Sequence, residues 1–364
     1  MKVRIRIAEK MRTNRIFWSG LFLTGTLLTG FLLTGCKQSG TRLKEYNKQY
    51  LDYFDTFSSI TIYAENEERF QEYEALVQEK MKRCHQLFDI YEAYDGIVNI
   101  HTINSDAGLA HVKAEPEILE LLERSKELYD MTGGRVNPAM GSVLQIWHDY
   151  RTDGLEDPQH AELPSLEELQ KAAEHTDIHQ MEIDWEKETV YLPDPDMQLD
   201  VGAVAKGYAA HEICEELRTA GVTSALVNLG GNVQTIGTKA DGKPWRVGVQ
   251  NPDTASKKPY LHVVKLKDMA LVTSGSYQRF YEVDGVRYHH IINPDTLMPN
   301  DTFAGVTVLC KDGMMADALS TAVFNMELEE GQALIESLEE TEAIWIYPDG
   351  QEVYSSGFEQ FIDD

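Results

Sequence analysis

The 364-residue chain has only four cysteines, Cys36, Cys84, Cys214 and Cys310, and no two of them form a C-x-x-C pair. That argues against a zinc knot, an iron–sulfur cluster and a dense disulfide framework. Basic residues are also scarce: 33 Lys and Arg against 60 Asp and Glu give a formal charge of -27 and a pI near 4.7. Such a surface repels a polyanion, so no nucleic-acid partner is expected. The chain has no G-x-x-x-x-G-K-[ST] loop and no G-x-G-x-x-G turn, which leaves the standard nucleotide folds unsupported. It also lacks the H-E-x-x-H of a zinc protease and the G-x-S-x-G elbow of a serine hydrolase. Thr273-Ser274-Gly275-Ser276 therefore reads as a turn that lines a pocket at most. With 42% hydrophobic and 26% charged residues the chain is not disordered throughout, and it is long enough for one large unit or two smaller ones.

The scarce basic residues are concentrated at the start, where Lys2, Arg4, Arg6, Lys10, Arg12 and Arg15 face a single acid, Glu9. Residues 16–33, IFWSGLFLTGTLLTGFLL, follow as an apolar run. This is the layout of a signal peptide, although the length equally suits an uncleaved transmembrane helix. The run ends in Leu33-Thr34-Gly35-Cys36, which resembles the lipobox of bacterial lipoproteins and favours the first reading. The expectation is a signal peptide over 1–35 and a lipid on Cys36 that anchors the protein to the extracytoplasmic face of the cell membrane. Residues 36–52 are polar without an apolar period and predict a flexible tether. The body then spans 53–364.

In the body, short β-rich runs alternate with helical ones, which predicts an α+β or mixed α/β fold with no clean domain boundary. Ser58 to Tyr63 reads as a strand, and Phe70 to Phe88 carries apolar residues at helical spacing. Pro116 opens a second helix, and Ser165 with Glu168 forms a capping box. The polar, proline-containing stretch 151–164 reads as a surface loop. Asp284-Gly285 between two β-rich runs predicts a hairpin.

Three constellations could carry chemistry. Asp317 and Thr321 are i and i+4 on a predicted helix, so a carboxylate and a hydroxyl share one face and could hold Mg²⁺. The same spacing fits Asp317 capping the helix and Thr321 bonding back to the chain. In Leu199-Asp200-Val201-Gly202-Ala203-Val204-Ala205-Lys206, a strand-to-helix transition places backbone amides and one lysine where a phosphate could sit, or makes an ordinary turn. In Tyr288-His289-His290-Ile291, adjacent strand residues face opposite ways, so one histidine can serve a site and the other the structure.

Taken in order, these motifs resemble the ApbE family of FAD:protein FMN transferases over about Phe54 to Tyr347. The resemblance runs through Phe54-Asp55-Thr56, FDIYEAYDGIVNIHTIN from Phe88, GGRVNPAMGSVLQIW from Gly133 and LDVGAVAKGYAAHEI from Leu199. It continues through LVNLGGNV, TSGSYQRFY, YHHIINPDT and ADALSTAVF. It implies the family's T-fold-like α+β body, with helices packed on antiparallel-rich sheets. It also implies Mg²⁺ held by the main-chain oxygen of Ala203 and the side chains of Asp317 and Thr321; where some relatives carry an acid, this chain has Ser320. FAD would lie along Phe54, Val136, Asn137, Pro138, Asp200, Lys206 and Ile291, with His290 as the base. The implied reaction moves FMN from FAD to a threonine hydroxyl of an acceptor protein and releases AMP. The implied acceptors are extracytoplasmic segments of Nqr- and Rnf-type complexes or other flavinylated surface proteins. FAD hydrolysis to FMN and AMP at the same metal, or FAD binding without chemistry, are the alternatives.

Overall fold

The structure, a computed structural model, describes residues 42–363. The apolar leader and Cys36 lie outside the described residues. No helix among the described residues is long and apolar enough to cross a membrane.

The first described element corrects the sequence reading. Lys44–Tyr50 (β1), expected to belong to the flexible tether, is a strand paired antiparallel with Ser58–Ala64 (β2), from Lys44 opposite Ala64 to Tyr50 opposite Ser58. Only its last residue, Tyr50, is buried. An edge strand can satisfy its backbone on one side and water on the other, so it needs no apolar pattern to form.

Helix α1 (Glu67–Leu87) follows, capped by the Asn66 side chain, and buries the predicted stripe of Phe70, Tyr73, Val77, Met81 and Cys84. Next come α2 (Ile100–Ser105), β3 (Val112–Lys113), α3 (Pro116–Met131) and α4 (Gly141–Glu156). Helix α4 takes in residues 151–156, which the sequence had assigned to a surface loop. Helix α5 (Leu166–Ala173) starts where Ser165 accepts a hydrogen bond from the Glu168 amide. The chain continues through β4 (Glu182–Asp184), β5 (Thr189–Tyr191), α6 (Ala205–Thr219), β6 (Ser224–Leu229) and β7 (Asn232–Gly237). After these come β8 (Trp245–Gln250), β9 (Tyr260–Leu266), β10 (Ala270–Gly275), and the hairpin of β11 (Phe280–Val283) and β12 (Val286–His289). Asp284 and Gly285 turn that hairpin with φ of 51° and 78°, the left-handed values a two-residue turn of this kind requires. Strand β13 (Gly305–Cys310), α7 (Gly313–Phe324), α8 (Leu328–Ser337), β14 (Glu342–Ile346) and β15 (Glu352–Tyr354) complete the body.

Eight strands form one antiparallel sheet in the order β1-β2-β6-β7-β10-β13-β14-β15. Both faces of its central strands are buried, and alternation along those strands divides the side chains between them. Val306 and Val308 of β13 and Ala343 and Trp345 of β14 join the larger core with the helices. Leu309, Ile344 and Ile346 face a second core closed by the β8–β9 hairpin. On the helical face α6 crosses α7 at two glycines. A Cβ on Gly207 would stand 2.2 Å from the Gly313 carbonyl oxygen, so only glycine allows this approach. A third cluster, built around Met140, Val143 and Trp147 of the α4 region with Tyr281 and Ile292, packs the α4 layer against the β11–β12 hairpin. The expected α+β architecture, with helices on antiparallel sheets, is therefore what the chain builds.

Candidate active site

A cavity of about 550 Å³ is bounded by the turn before β2, the segment leading into α4, the start of α6, the end of β10, the segment after β12 and helix α7. Its lining includes Phe54, Val136, Asn137, Asp200, Ala203, Lys206, His290, Ile291, Asp317 and Thr321, residues that span most of the body in sequence. Of the residues expected at the site, Pro138 does not line it. It lies behind the wall, where its carbonyl accepts the Asp200 amide at 2.7 Å and fixes the start of the 200–206 turn.

Asp317 is buried on α7 and does not cap it; Asp312 does, accepting from the Met315 amide at 2.9 Å. The Asp317 carboxylate accepts from the Gly207 amide at 2.9 Å across the glycine crossing. The Asn232 amide, placed with its nitrogen toward the carboxylate, donates to both oxygens at 3.0 and 3.2 Å. These donors are neutral. Burial pushes the Asp317 carboxyl above its usual range, and Lys206 and the Gly207 amide only partly oppose it. Thr321 does not bond back to the chain either; its hydroxyl lies 3.3 Å from the Ser274 hydroxyl at the end of β10. Ser320 is fully buried, shares a 2.8 Å hydrogen bond with Ser274 and donates to the Asp317 carbonyl. It ties α7 to β10 and does not line the cavity. Residues 273–275, expected in a turn, are thus the end of a strand, though they line the pocket as anticipated.

At the start of α6, the Asp200 carboxylate accepts from the Gly202 amide at 2.8 Å, and Lys206 donates to the Gly202 carbonyl at 3.0 Å. Burial raises the Asp200 carboxyl, with Gly202 and Lys206 opposing. Opposite stand cations that sequence reasoning missed. Arg151, in the stretch taken for a loop, contacts His148 Nδ1 at 2.9 Å, and burial and Arg279 lower its pKa. Arg135 and Arg279 also line the cavity. Both lie inside motifs already singled out, but neither spacing nor periodicity shows that they converge. Within a strongly acidic protein, the cavity brings four cations, Arg135, Arg151, Lys206 and Arg279, onto one lining beside four acids, Asp55, Asp89, Asp200 and Asp317.

The two adjacent histidines separate as predicted. His289 is structural: its Nε2 donates to the Asn300 carbonyl at 2.8 Å, and its Nδ1 accepts from the Ile291 amide at 3.2 Å. His290 faces the cavity, and its buried Nδ1 has no hydrogen-bond partner. Burial first, then Arg279, His289, Arg151 and Lys206, push it down to about 3, so it is a neutral imidazole with proton-accepting capacity. A second group of possible metal ligands, His175, Asp194 and Asp196, lies away from the cavity lining. There His175 Nδ1 pairs with Asp194 at 2.8 Å.

Comparison with known proteins agrees with the geometry. Residues 54–345 match the ApbE family. A FAD:protein FMN transferase of Treponema pallidum is 33% identical over 330 residues, covering 87% of this chain and 88% of its own length. Another, from Klebsiella pneumoniae, is 30% identical over 283 residues, covering 74% of this chain and 84% of its own. The crystal structure of the ApbE protein of Thermotoga maritima superposes with a TM-score of 0.77 at 26% identity, over 88% of this chain and all of that one. The flavin transferase ApbE of Vibrio cholerae shares the fold, with a TM-score of 0.73 over 88% of this chain and 99% of its own. Fold, site and relatives agree, and the chain belongs to the ApbE family.

Proposed function

We propose that this chain is a transferase that moves FMN from FAD to a threonine hydroxyl of an acceptor protein, releases AMP and requires Mg²⁺. The observation that carries this reading is that one cavity holds the buried Asp317 carboxylate and the half-buried Thr321 hydroxyl one helical turn apart together with Lys206, Arg151 and Arg279. Hard oxygens beside converging cations suit a divalent ion and a diphosphate.

The residues present fit such an ion. Asp317 is a buried carboxylate whose hydrogen-bond partners are neutral, and Thr321 and the Ala203 carbonyl would supply the uncharged oxygens Mg²⁺ accepts. When bound, the ion would act as a Lewis acid, stabilising charge that develops on the phosphoryl oxygens. Gly207 and Asn232 hold the Asp317 carboxylate, while Lys206 and the arginines neutralise and orient the diphosphate. Phe54, Val136, Asn137 and Ile291 line the wall available to the rest of FAD. The threonine oxygen attacks the phosphorus on the FMN side, a new P–O bond forms, and the bond to the AMP phosphate breaks. His290 takes the threonine proton. Burial is the first cause of its low basicity; Arg279, Arg151 and Lys206, which add to it, are cations the diphosphate would neutralise, so substrate would relieve that part of the depression.

The apolar leader and the Leu33-Thr34-Gly35-Cys36 ending support lipid anchoring at Cys36 on the extracytoplasmic side of the membrane. Acceptors are then extracytoplasmic, of the Nqr and Rnf type or other surface flavoproteins. AMP release from FAD and Mg²⁺, measured with and without an acceptor domain, tests the reaction. Acceptor-dependent AMP supports transfer, AMP at the same rate without acceptor makes the protein an FAD pyrophosphatase, and tight FAD binding without AMP makes it a flavin carrier.

A further inference from the structure

We propose that His85 is a positioning residue: its Nδ1 lone pair holds the turn over residues 53–56 in the shape that meets FAD, and protonation of that nitrogen releases the turn. The inference rests on reading the cavity as the FAD site. Phe54 and Asp55 have φ of 56° and 47°, and the Thr56 amide donates to the Tyr53 carbonyl at 3.3 Å. Positive φ at both central positions is the pattern of a type I′ turn, which normally takes Asn-Gly or Gly-Gly. A phenylalanine there persists only where the surroundings hold it.

The downstream end of the turn is held by packing and pairing. The space where Gly230 would carry a Cβ is filled by Thr56, 2.4 Å away at Oγ1, and the Gly230 amide donates to the Phe57 carbonyl at 3.1 Å. The upstream end is held by a side chain, because the Phe54 amide donates to His85 Nδ1 at 3.3 Å. His85 sits in the last turn of α1, with the rings of Phe54, Tyr53 and Tyr94 edge-on around it at 5.8, 6.0 and 6.3 Å. Phe54, Asp55, Thr56 and His85 all line the cavity. The amide therefore couples the protonation state of one imidazole to the wall that meets the flavin.

An Nδ1 that accepts a hydrogen bond carries no proton. Protonation would set one donor against another and free Phe54 from its strained conformation. The titratable groups around His85 are Tyr53 and Asp55 from the turn, and Tyr94 with Asp89 from the segment after α1. The Tyr94 hydroxyl donates to Asp89 at 2.6 Å, and both Asp89 and Asp55 act on that phenol. His290, the other histidine on the cavity, is held down to about 3.

The test is FAD binding to the full chain with Mg²⁺, followed by flavin fluorescence from about pH 5 to 8, with KM and kcat for transfer. His85→Asn keeps an acceptor at the same position that does not titrate; His85→Leu has none. We expect wild type to lose FAD affinity about tenfold toward the acid end and His85→Asn to stay within about threefold throughout. His85→Leu should raise KM for FAD about tenfold at every pH with little change in kcat, and adding Asp55→Gly should reverse this, because glycine adopts positive φ unaided. Should His85→Leu fail to fold, His85→Asn decides alone. An acid loss that persists in His85→Asn, or pH-insensitive FAD binding by wild type, overturns the clamp and leaves the transferase reading standing. A wild type that binds no FAD at any pH overturns both.

Discussion

Replacing Asp317 by Asn separates a metal ligand from a structural acid. The substitution keeps the size of the side chain but removes the one buried negative charge on the α7 face of the cavity. Removing outer-shell partners of metal ligands costs roughly 10–100-fold in affinity, so losing a ligand carboxylate should cost at least ~100-fold, or ~2.7 kcal/mol. Thermal unfolding reads this directly. With Mg²⁺ at about a hundred times the wild-type Kd, linkage stabilises wild type by ~2.7 kcal/mol, whereas a variant weakened ~100-fold gains only ~0.4 kcal/mol. The metal-free proteins should differ in the opposite sense with pH. Burial raises the native Asp317 pKa above its unfolded value, so the unfolded chain releases that proton first and native stability falls as pH rises between the two values. Asp317→Asn should lack this component. Because Asp312 is the N-cap, the variant should not unravel α7. Transfer at the wild-type rate, with an unchanged Mg²⁺ requirement and an unchanged Mg²⁺-induced stabilisation, would refute the metal assignment.

His290→Asn should lower kcat by about 10²–10⁴-fold while FAD affinity measured by fluorescence changes little, as expected for loss of a general base. Gly207→Ala should destabilise the protein by ~1–3 kcal/mol in denaturant titrations and weaken Mg²⁺ and FAD binding together, because its Cβ would drive α6 from the Gly313 carbonyl and the Asp317 Cβ. In cells, Cys36→Ala should leave an unprocessed or released protein whose purified body still transfers FMN. Wild type that is fully membrane-bound, unlipidated and still carries residues 1–35 would instead favour a transmembrane anchor.

Local patterns in the sequence were legible because short-range physics sets them. The α1 stripe, the Ser165 cap and the Asp284-Gly285 hairpin each need only neighbouring residues to be predicted. The strand β1 was not legible, since an edge strand ordered by backbone pairing to β2 needs no apolar side chains. Arg151 reads as part of a loop because the end of α4 is polar and runs into a proline-containing stretch, and nothing local shows that this one side chain turns toward the cavity. At the site, the Asp317–Thr321 pair follows from helical geometry, but its partners do not. Gly207, Asn232 and Ser274 reach α7 only through the α6–α7 crossing and the order of strands in the sheet. The choice between a capping and a cavity-facing Asp317 was equally a tertiary matter, decided once Asp312 was seen to hold the cap. The family resemblance supplied what spacing could not, by bringing distant motifs into one site.

The most direct test of the account is the mass of an acceptor domain after incubation with this protein, FAD and Mg²⁺, followed by mapping of the modified residue. The account predicts one FMN joined through its phosphate to a threonine oxygen, with AMP released in equal amount and neither product formed in EDTA. An acceptor that stays unmodified while FAD is consumed, or that gains FMN without Mg²⁺, would contradict it.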